Sequence, residues 1–381
     1  MKEKYVYLDH AATSYPKPPE VLRAVQQCMR KAGGNPGRGS HRLSALAAEE
    51  IYTCRELAGL IFDASPERIV CTAGATMGLN LALSGILRPG DHVLIDNLAH
   101  NAVYRPVYAL AAKGIITFDI YAADRSAEEC LDSLEQLIRP ATRMVIATHM
   151  SNICSITEPV PEIGRFCREH GLLFIVDGAQ SGGHVPISVR DMNITALSMP
   201  GHKGLLGPQG CGLLVFGNDA PDCVPLLSGG SGSHSLDPLM PQDLPERLEA
   251  GTLPTPAIAG LTAGLRLLQK DQHADRFSAA SVLGKLFAAE SAQIPGLYLY
   301  GPADGCVVSF GIDGHLPSRI AGYLDSHDIC VRSGYHCAPL AHKTIGSFST
   351  GTVRVSFGRS NTPQDVWYLL EILEKFCRDG K

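Results

Sequence analysis

The chain has 381 residues, 45% of them hydrophobic, and a formal net charge of −5; this length exceeds what one hydrophobic core usually supports, so we expect two domains. The lack of a basic excess argues against nucleic acid as a partner. No segment is long and apolar enough to span a membrane or to serve as a signal peptide, so we expect a cytoplasmic protein without membrane association.

The first predicted unit is a parallel sheet covered by helices. From about residue 66 to 216, short β-rich apolar runs alternate with longer helical patterns, which is typical of such a sheet. Ligands bind beyond the carboxyl ends of the strands in open α/β sheets. The predicted strands are RIVCT, HVLID, GIITFDI, RMVIATH, LLFIVD and GLLVF, and the helices between them include GLNLALSGIL, AEECLDSLEQLI and VPEIGRFCREH.

Composition changes after residue 217. The stretches GNDAPDC and SGGSGSHSLDPLMPQDLP are rich in Gly, Ser, Pro and Asp, which predicts a long irregular segment. Helical patterns then resume and are followed by strands and a terminal helix, so we expect a second α+β unit. Its predicted helices are TPAIAGLTAGLRLLQKD, RFSAASVLGKLFAAESAQ and TPQDVWYLLEILEKFCR, and its predicted strands are CVVSFGI, DICVRS and TVRVSFG.

The segment CTAGATMGLN, residues 71–80, leads from an apolar strand into a helix. Unpaired backbone N–H groups at a helix start, together with the hydroxyl of Thr76, would bind a phosphate or a carboxylate. The segment could equally be a tight turn in which Thr76 caps the helix. By itself, the segment favours the helix cap.

Two charged residues adjoin apolar strands farther along the chain. Asp177 ends LLFIVD, so its carboxylate lies at the carboxyl edge of the sheet, where a buried acid needs a cationic partner. That partner could be a protonated heterocyclic nitrogen or a structural arginine. Lys203, in SMPGHKGLLGPQGCGLLVF, is either a solvated loop charge, which is the commoner case, or an amine held to form a Schiff base.

The twelve cysteines include no pair spaced like a zinc or iron–sulfur site, the closest being Cys330 and Cys337, so we expect no metal. In a cytoplasmic protein most of them should be reduced and buried. Cys337, in VRSGYHCAPL, follows a histidine, but free cysteine is commonly a small buried hydrophobe. The local sequence therefore does not distinguish a reactive thiol from a core residue.

In their order and strand context, these motifs resemble the pyridoxal-phosphate (PLP) enzymes of aminotransferase class V, and within them the cysteine desulfurases. The resemblance covers nearly the whole chain. The segments that carry it are YLDHAATS, NPGRGSHRLS, AGATMGLN, DGAQ, GHKGLLGPQGCG, EAGT and RSGYHCAP.

The resemblance implies fold type I of the PLP-dependent transferases, an α/β fold. In this fold a large domain with a mixed, mainly parallel seven-stranded sheet joins a small α+β domain built from both chain ends, and members are homodimers. We place the large PLP-binding domain at residues 15–258. The small domain, which carries the loop of the nucleophilic cysteine, is then residues 1–14 and 259–381.

Residue by residue, the resemblance assigns the groups around the cofactor ring. Lys203 matches the lysine that bonds covalently to PLP, and Asp177 matches the acid that pairs with the pyridinium nitrogen, which makes the ring an electron sink. His100 matches the histidine that stacks on the ring and moves protons. Asn152 and Gln180 match the groups that contact the phenolic oxygen. Without the resemblance, His100 and Asn152 would be interpreted as core or capping residues.

The residues that match the phosphate site of the family are Ala75, Thr76, His202 and Thr252, the last supplied by the other subunit. The chain departs from the family at one position here. Many relatives carry Ser or Thr three positions before the lysine, where this chain has Pro200. This chain therefore lacks the side-chain hydroxyl that donates a hydrogen bond to the phosphate in those relatives. Ser198 lies too far along the chain for us to assign that role to it.

RSGYHCAP resembles the cysteine segment of the SufS-like group, whose usual form has two histidines before the cysteine. Cys337 thus matches the sulfur-accepting nucleophile, and Tyr335 stands where the first histidine usually is. A thiol attacks only when ionised, and we expect Arg332, His336 or the phosphate region of the cofactor to influence that ionisation. Arg354, in GTVRVSFG, matches the arginine that binds the substrate carboxylate, a task suited to the guanidinium fork.

The resemblance therefore implies a cysteine desulfurase, which converts L-cysteine to L-alanine and holds the sulfur as a persulfide for an acceptor protein, as in iron–sulfur cluster assembly. A selenocysteine lyase acting on L-selenocysteine is the nearest alternative. A class V aminotransferase or β-lyase would not need the nucleophilic cysteine. A non-enzymatic PLP-binding sulfur carrier fits least, because Lys203, Asp177, His100, Cys337 and Arg354 occur together.

Overall fold

A computed structural model of the chain describes residues 5–37, 39–270 and 276–379. The residues outside this description are Arg38 of the NPGRGSHRLS motif, in the predicted large domain, and residues 1–4, 271–275 and 380–381, in the predicted small domain. The strands are β1 (Val6–Tyr7), β2 (Ile69–Thr72), β3 (His92–Asp96), β4 (Thr117–Tyr121), β5 (Thr142–Thr148), β6 (Leu173–Asp177), β7 (Ala196–Pro200), β8 (Gly212–Phe216), β9 (Leu297–Tyr300), β10 (Val307–Ile312), β11 (Ile329–Cys330), β12 (Arg332–Gly334) and β13 (Thr352–Ser356). The helices are α1 (Pro19–Lys31), α2 (Arg42–Phe62), α3 (Ala75–Ile86), α4 (Asn101–Ala112), α5 (Ala127–Leu137), α6 (Val160–Glu169), α7 (Thr255–Lys270), α8 (Arg276–Ser291), α9 (Pro317–Asp325), α10 (Pro339–Thr344) and α11 (Pro363–Asp379).

Seven strands form the large sheet, in the order β2-β8-β7-β6-β5-β3-β4. Parallel ladders join β4, β3, β5, β6 and β7, whereas β8 runs antiparallel to both β7 and β2. Every residue of β3, β7 and β8 is buried, as expected for strands covered on both faces. The sheet is therefore mixed and mainly parallel, which confirms the predicted fold class.

Two details of the sheet differ from the sequence-based expectation. Strand β7 is not predicted, because it contains Ser198 and ends at Pro200, a residue type that cannot donate a ladder hydrogen bond. Strand β4 begins at Thr117 rather than at the predicted Gly114. Gly114 has φ 69° and turns the chain after α4, which delays the start of the strand.

Helices cover both faces of the large sheet. On one face α3 and α4 contribute Leu79 and Val103 to a buried cluster with the sheet. On the other face a second cluster contains one residue each from α2, α5, α6 and α7, namely Phe62, Leu134, Phe166 and Leu261. Because both faces are covered, a ligand reaches the sheet only beyond the ends of its strands.

The last third of the chain forms a second unit around an antiparallel sheet in the order β12-β13-β10-β9. Its core includes Phe287, Phe310 and Phe357. The predicted single strand DICVRS is two strands in two sheets: β12 joins the antiparallel sheet, whereas β11 pairs in parallel with β1. The start of the described chain therefore packs with its C-terminal part.

Between β8 and α7, residues 217–254 are all described and contain one 3₁₀ turn, Glu246–Leu248, in agreement with the predicted irregular segment. Helix α7 crosses the domain boundary predicted after residue 258. Leu261, Leu265 and Leu268, beyond that boundary, pack into the core of the large sheet. The predicted boundary thus falls within a helix and not between two elements.

Candidate active site

A cavity of about 560 Å³ lies beyond the carboxyl ends of β5 and β6, next to the start of α3. It occupies the edge of the sheet at which the sequence predicts ligand binding. Eight of the residues predicted for the site line it: Ala75, Thr76, His100, Asn152, Asp177, Gln180, His202 and Lys203. The other three, Cys337, Arg354 and Thr252, lie outside its wall.

Asp177 and Lys203 bring opposite charges to the floor of the cavity. Asp177 is 3% exposed, and its carboxylate accepts a hydrogen bond of 3.0 Å from the N–H of Ala179. Burial raises the pKa of Asp177, and the Ala179 N–H and the Lys203 amine partly offset that rise. Burial lowers the pKa of Lys203 to about 8, although Asp177 acts in the opposite direction. The floor therefore offers a desolvated acid beside an amine that releases its proton readily.

The start of α3 supplies backbone donors. Gly74, the residue before the helix, has φ 150°, and no side chain in the described part of the chain caps the helix. The first N–H groups, at Ala75 and Thr76, therefore lack helical acceptors, and the helix dipole favours an anion beside them. Thr76 lies inside the helix, so its interpretation as the capping residue is wrong.

Neither Ser198 nor Pro200 of strand β7 offers a free hydroxyl group to an anion at the start of α3. Pro200 lines the cavity. Ser198 is fully buried, and its Oγ donates a hydrogen bond of 3.0 Å to the carbonyl oxygen of Ala75. Ser198 therefore fastens the start of α3 to the sheet. His202 also lines the cavity, and its Nδ1 lies 3.1 Å from the Oγ1 of Thr13.

His100 precedes α4 and both caps that helix and lines the cavity. Its Nδ1 accepts a hydrogen bond of 3.0 Å from the N–H of Ala102, which leaves the ring proton on Nε2. Burial, followed by the charges of Lys203 and Arg332, lowers the pKa of His100 to about 4. His100 is therefore a neutral imidazole at neutral pH and can donate one hydrogen bond through Nε2.

Asn152 and Gln180 line the cavity and also connect it to other parts of the chain. The Nδ2 of Asn152 donates a hydrogen bond of 2.8 Å to the carbonyl oxygen of His336, and its Oδ1 is buried without a partner among the described residues. The Nε2 of Gln180 donates a hydrogen bond of 2.9 Å to the carbonyl oxygen of Ala11. These amides therefore fix the N-terminal segment and the cysteine loop against the cavity.

Arg354 lies in β13 and is 1% exposed, so its charge is buried and not at the protein surface. Its Nη2 donates to the carboxylate of Asp9 at 2.6 Å, and its Nη1 donates to the carbonyl oxygen of Asn152 at 3.1 Å. Its Nε is buried without a partner among the described residues. Asp9 was not assigned from the sequence, although its position in YLDHAATS, two residues after the first strand, marks it as a residue of interest.

Cys337 lies on the loop between β12 and α10. Of the twelve cysteines, all within the described residues, it is the only exposed one. Its carbonyl oxygen accepts a hydrogen bond of 2.7 Å from the N–H of Asn101, the residue after His100. An Nη2 of Arg332 lies 3.9 Å from its Sγ. The thiol is therefore accessible, next to the residues that line the cavity and within reach of a cation.

His336 is buried under this loop, at 2% exposure. Its Nε2 lies 3.0 Å from the Oγ1 of Thr352, and its ring stacks on His342 with 5.7 Å between the centroids. Burial, and then the charge of Arg354, lowers the pKa of His336 to about 2. The expectation that His336 influences the ionisation of the thiol stays a prediction, and because the ring is neutral any such influence is not that of a cation. Arg332 is the cation that contacts Cys337.

Two predicted positions remain. Tyr335 is 47% exposed and contacts His342 edge to face, with 5.3 Å between the ring centroids. Thr252 lies in a separate depression, where its Oγ1 accepts a hydrogen bond of 3.2 Å from the Nδ2 of Asn35. Within one chain Thr252 does not belong to the cavity, so its assignment to the site of another subunit stays a prediction.

In residues 5–37, 39–270 and 276–379, no helix has both the length and the apolar character needed to cross a membrane. The same residues contain no group of three or more His, Cys, Asp or Glu side chains that could hold a metal ion.

A family model described as aminotransferase class-V matches residues 6–369. A protein of Methanothermobacter thermautotrophicus named "Probable cysteine desulfurase" is 34% identical over 392 residues, which cover 99% of this chain and 96% of the relative. A cysteine desulfurase of Escherichia coli is 30% identical, with 98% of this chain and 93% of the relative covered. The sequence similarity therefore extends along nearly the full length of both relatives.

Two solved structures are similar over the same range. The apo structure of the cysteine desulfurase from Thermococcus onnurineus NA1 has a TM-score of 0.89 and 29% identity, and covers 99% of this chain and 95% of its own. The structure of the cysteine desulfurase CsdA, in its S-sulfonic acid form, from Escherichia coli has a TM-score of 0.89 and 27% identity, covering 100% and 96% of the two chains. The similarity includes both the large and the small unit.

Proposed function

This chain belongs to the class V aminotransferase family, and on that premise we propose that it is a cysteine desulfurase. The observation that carries the proposal is the position of Cys337: the one exposed cysteine of the described chain lies on a loop fastened to the residue after His100. An aminotransferase or β-lyase does not need a thiol at this position. The relatives of similar length that are named cysteine desulfurases support the same activity.

We infer that the cavity binds PLP. Three of its features suit that cofactor: an amine with a pKa lowered to about 8 at Lys203, a desolvated acid at Asp177, and a helix start without a side-chain cap at Ala75. Lys203 would hold the carbonyl carbon, Asp177 the ring nitrogen, and the N–H groups of α3 the phosphate. When bound, PLP supplies an electron sink for charge that develops at the substrate Cα.

The residues around the cavity divide the remaining tasks. Arg354, with its buried and unpaired Nε, would bind the substrate carboxylate, while Asp9 keeps the guanidinium in place. The Lys203 amine, with its pKa near 8, would accept the Cα proton and return a proton to the product. His100, neutral and protonated on Nε2, would donate a hydrogen bond from above the cavity floor.

Cys337 would carry out the sulfur transfer as a thiolate stabilised by the Arg332 guanidinium. A new S–S bond forms between Cys337 and the substrate sulfur as the substrate C–S bond breaks, and the bonding electrons pass to the substrate carbon. That carbon takes up a proton, so the products are alanine and a persulfide on Cys337. The atoms balance without an external oxidant, because the sulfur atom moves from one thiol to another.

We also propose that the protein acts as a homodimer in the cytoplasm and passes its sulfur to an acceptor protein. Thr252, which lies away from the cavity of its own chain, supports a site completed by a second subunit. Exposed apolar side chains on α1 and α2, Leu22, Met29, Leu43 and Leu60, are consistent with a subunit contact. The exposure of Cys337 allows a partner to reach the persulfide.

The direct test is to incubate the purified PLP-loaded protein with L-cysteine, follow alanine, and locate the persulfide by mass spectrometry. We expect alanine, and a mass increase of one sulfur atom on Cys337. Cys337→Ser should abolish the persulfide and keep the visible absorbance of the bound cofactor. Cys377→Ser, at a partly buried cysteine far along α11, is the matched control and should behave like wild type.

Three outcomes would redirect the proposal. Turnover of L-selenocysteine that survives in Cys337→Ser, without cysteine turnover, identifies a selenocysteine lyase. Alanine formation that needs a 2-oxo acid and leaves no persulfide identifies an aminotransferase, and pyruvate with free sulfide identifies a β-lyase. No turnover of any of these substrates by the PLP-loaded protein would contradict an enzymatic role.

A further inference from the structure

Two carboxyl groups lie buried against each other beneath the cavity, at the carboxyl ends of three neighbouring strands. Asp96 ends β3 and is 0% exposed, and Glu158 follows β5 and is 2% exposed. Both accept a hydrogen bond from the same donor, the N–H of Thr148, at 3.0 and 2.9 Å. Two carboxyl oxygens that share one donor hydrogen lie within a few ångströms of each other.

The surroundings of the pair supply hydrogen bonds but no cation. Asp96 also accepts from the Oγ1 of Thr148 at 2.9 Å and from the N–H of Leu98 at 2.8 Å, and Glu158 accepts from the hydroxyl of Tyr121 at 2.8 Å. Among the described residues, no Lys, Arg or His forms an ion pair with either carboxyl group. The other ionisable groups that face the pair are Tyr121 on β4, Cys130 on α5 and Asp177 on β6, none of which is a cation.

Two adjacent buried carboxylates without a cation cannot both be ionised at moderate cost, because burial and like-charge repulsion act in the same direction. Burial raises the pKa of Asp96 to about 7, and burial together with the charge of Asp96 raises the pKa of Glu158. Their titration belongs to the pair and not to either residue alone.

We propose that Asp96 and Glu158 share a single proton. This shared proton connects the carboxyl ends of β3, β4 and β5 to one another and to the loop that places Asn152 in the wall of the cavity. The pair consists of positioning residues and touches neither substrate nor cofactor. The existence of the shared proton does not depend on the proposed function, whereas the effect of the pair on L-cysteine binding rests on that function.

A chain of contacts connects the pair to the site. The N–H of Glu158 donates to the carbonyl oxygen of His149 at 3.0 Å, and the N–H of His149 donates to the carbonyl oxygen of Asp177 at 3.1 Å. The loop between them carries Asn152, whose carbonyl oxygen accepts from Arg354 and whose amide donates to His336. Glu158 therefore fixes the far end of the loop on which the arginine and the cysteine loop both depend.

Infrared spectroscopy tests the shared proton directly. The wild-type protein at pH 7 should show the C=O stretch of a protonated carboxyl group, and difference spectra should show that this band is lost in both Asp96→Asn and Glu158→Gln. An amide at either position donates the hydrogen bond that the shared proton supplies, so the remaining carboxyl group becomes ionised. Glu249→Gln is the matched control: Glu249 is 8% exposed but pairs with Arg55 at 2.5 Å, so its replacement should leave the band unchanged.

Stability as a function of pH provides a second measurement. The pair keeps its proton in the folded protein, but in the unfolded chain both groups ionise above about pH 4. The folding equilibrium constant should therefore lose about tenfold per pH unit from this pair as pH rises from 5 to 7, and either amide variant should remove that slope. No difference band, together with equal slopes in wild type and variants, would overturn the proposal.

The effect on the site is measured by a comparison of two substitutions at one position. Glu158→Ala removes the partner of Tyr121 and Thr148 and should raise KM for L-cysteine about tenfold with a smaller change in kcat, whereas Glu158→Gln should stay within about twofold of wild type. Equal kcat losses in both variants would contradict a positioning role. If the protein turns over no cysteine at all, the proposed function fails, while the infrared and stability results still decide the shared proton.

Discussion

The floor of the cavity and the cysteine loop are two regions of one site with opposite construction. Asp177 is the last residue of a buried strand, and Lys203 follows closely on another, so the sheet fixes the positions of both. The loop of residues 335–338 belongs to no strand or helix, and its His336 and Cys337 have φ of 46° and 59°. Hydrogen bonds from Asn101 and Asn152 hold that loop against the large unit.

This difference in construction indicates that the cavity floor and the cysteine loop perform different tasks. In the floor, burial shifts the pKa values of charged groups, so under the proposed function that region would determine proton transfer. In the loop, the thiol is exposed and the neighbouring histidine is neutral, so that region would determine where the nucleophile lies and how easily an acceptor reaches it. Substitutions in the floor should therefore alter the chemistry with cofactor and substrate, and substitutions in the loop should alter sulfur transfer alone.

The largest expected effect is that of Lys203→Ala in the floor. Removal of the amine should lower alanine formation by about 10²–10⁴-fold, the usual contribution of a positioned acid or base, and should also abolish the visible absorbance of the bound cofactor. Cys337→Ser should keep that absorbance, so the two variants separate the two regions. Lys375→Ala, on the surface of α11, is the control. Normal absorbance in Lys203→Ala would contradict the assignment of the floor.

Asp9→Asn should have the next largest effect, because it weakens the pair that orients Arg354. Hydrogen bonds to charged groups contribute about 1.5–3 kcal/mol, so we expect kcat/KM for L-cysteine to fall about 10- to 100-fold, mostly through KM. Asp222→Asn is the matched control, because Asp222 pairs with Arg247 at 2.8 Å but is 91% exposed. A change in kcat without a change in KM would show that Asp9 does not act through the substrate carboxylate.

The burial of His336 in the cysteine loop predicts that the free energy of unfolding decreases at acid pH. The pKa of His336 is about 2 when folded and about 6.5 when unfolded, so below pH 6.5 the unfolded chain binds the extra proton and stability falls as pH decreases. The contribution is up to about 1.4 kcal/mol per pH unit. His336→Asn should reduce this loss in urea unfolding between pH 7 and 5, and Asn tolerates the positive φ.

His234→Asn is the control for that measurement, because His234 also has a positive φ, of 53°, but is exposed. Its replacement should leave the dependence of stability on pH unchanged. An equal change in both variants would show that the backbone conformation, and not the burial of the imidazole, is responsible.

The smallest expected effect is that of Tyr335→His, which restores the usual form of the cysteine segment. The side chain of Tyr335 is 47% exposed, and its ring contacts those of His342 and Phe348, neither of which lines the cavity, so kcat/KM and persulfide formation should change less than about threefold. A tenfold change would indicate that Tyr335 contributes to the position of the thiol, and the loop would then depend on more than its two hydrogen bonds to the large unit.

The sequence predicts the residues of the cavity floor better than the contacts that connect the floor to the N-terminal segment and to the cysteine loop. Asp177 ends a predicted apolar strand, so the pattern of the sheet brings it to the carboxyl edge. Lys203 follows the unpredicted strand β7 and is assigned to the site by the resemblance to the family. The pairing of Asp9 with Arg354 depends on strands far apart in the sequence, and no periodicity records it. The neutral state of His336 also depends on burial by distant residues, which the sequence alone does not show. Strand β7 is missed because Ser198 and Pro200 interrupt an apolar run.

The ion pair between Asp9 and Arg354 joins residues 345 positions apart. Arg354 and the strand that holds it also lie far downstream of Asp177 and Lys203 in the chain. Under the proposed function, a fragment truncated before β12 would keep the acid and the amine of the cavity floor but would lack both Cys337 and Arg354. Such a fragment would therefore neither bind the substrate carboxylate nor take up sulfur.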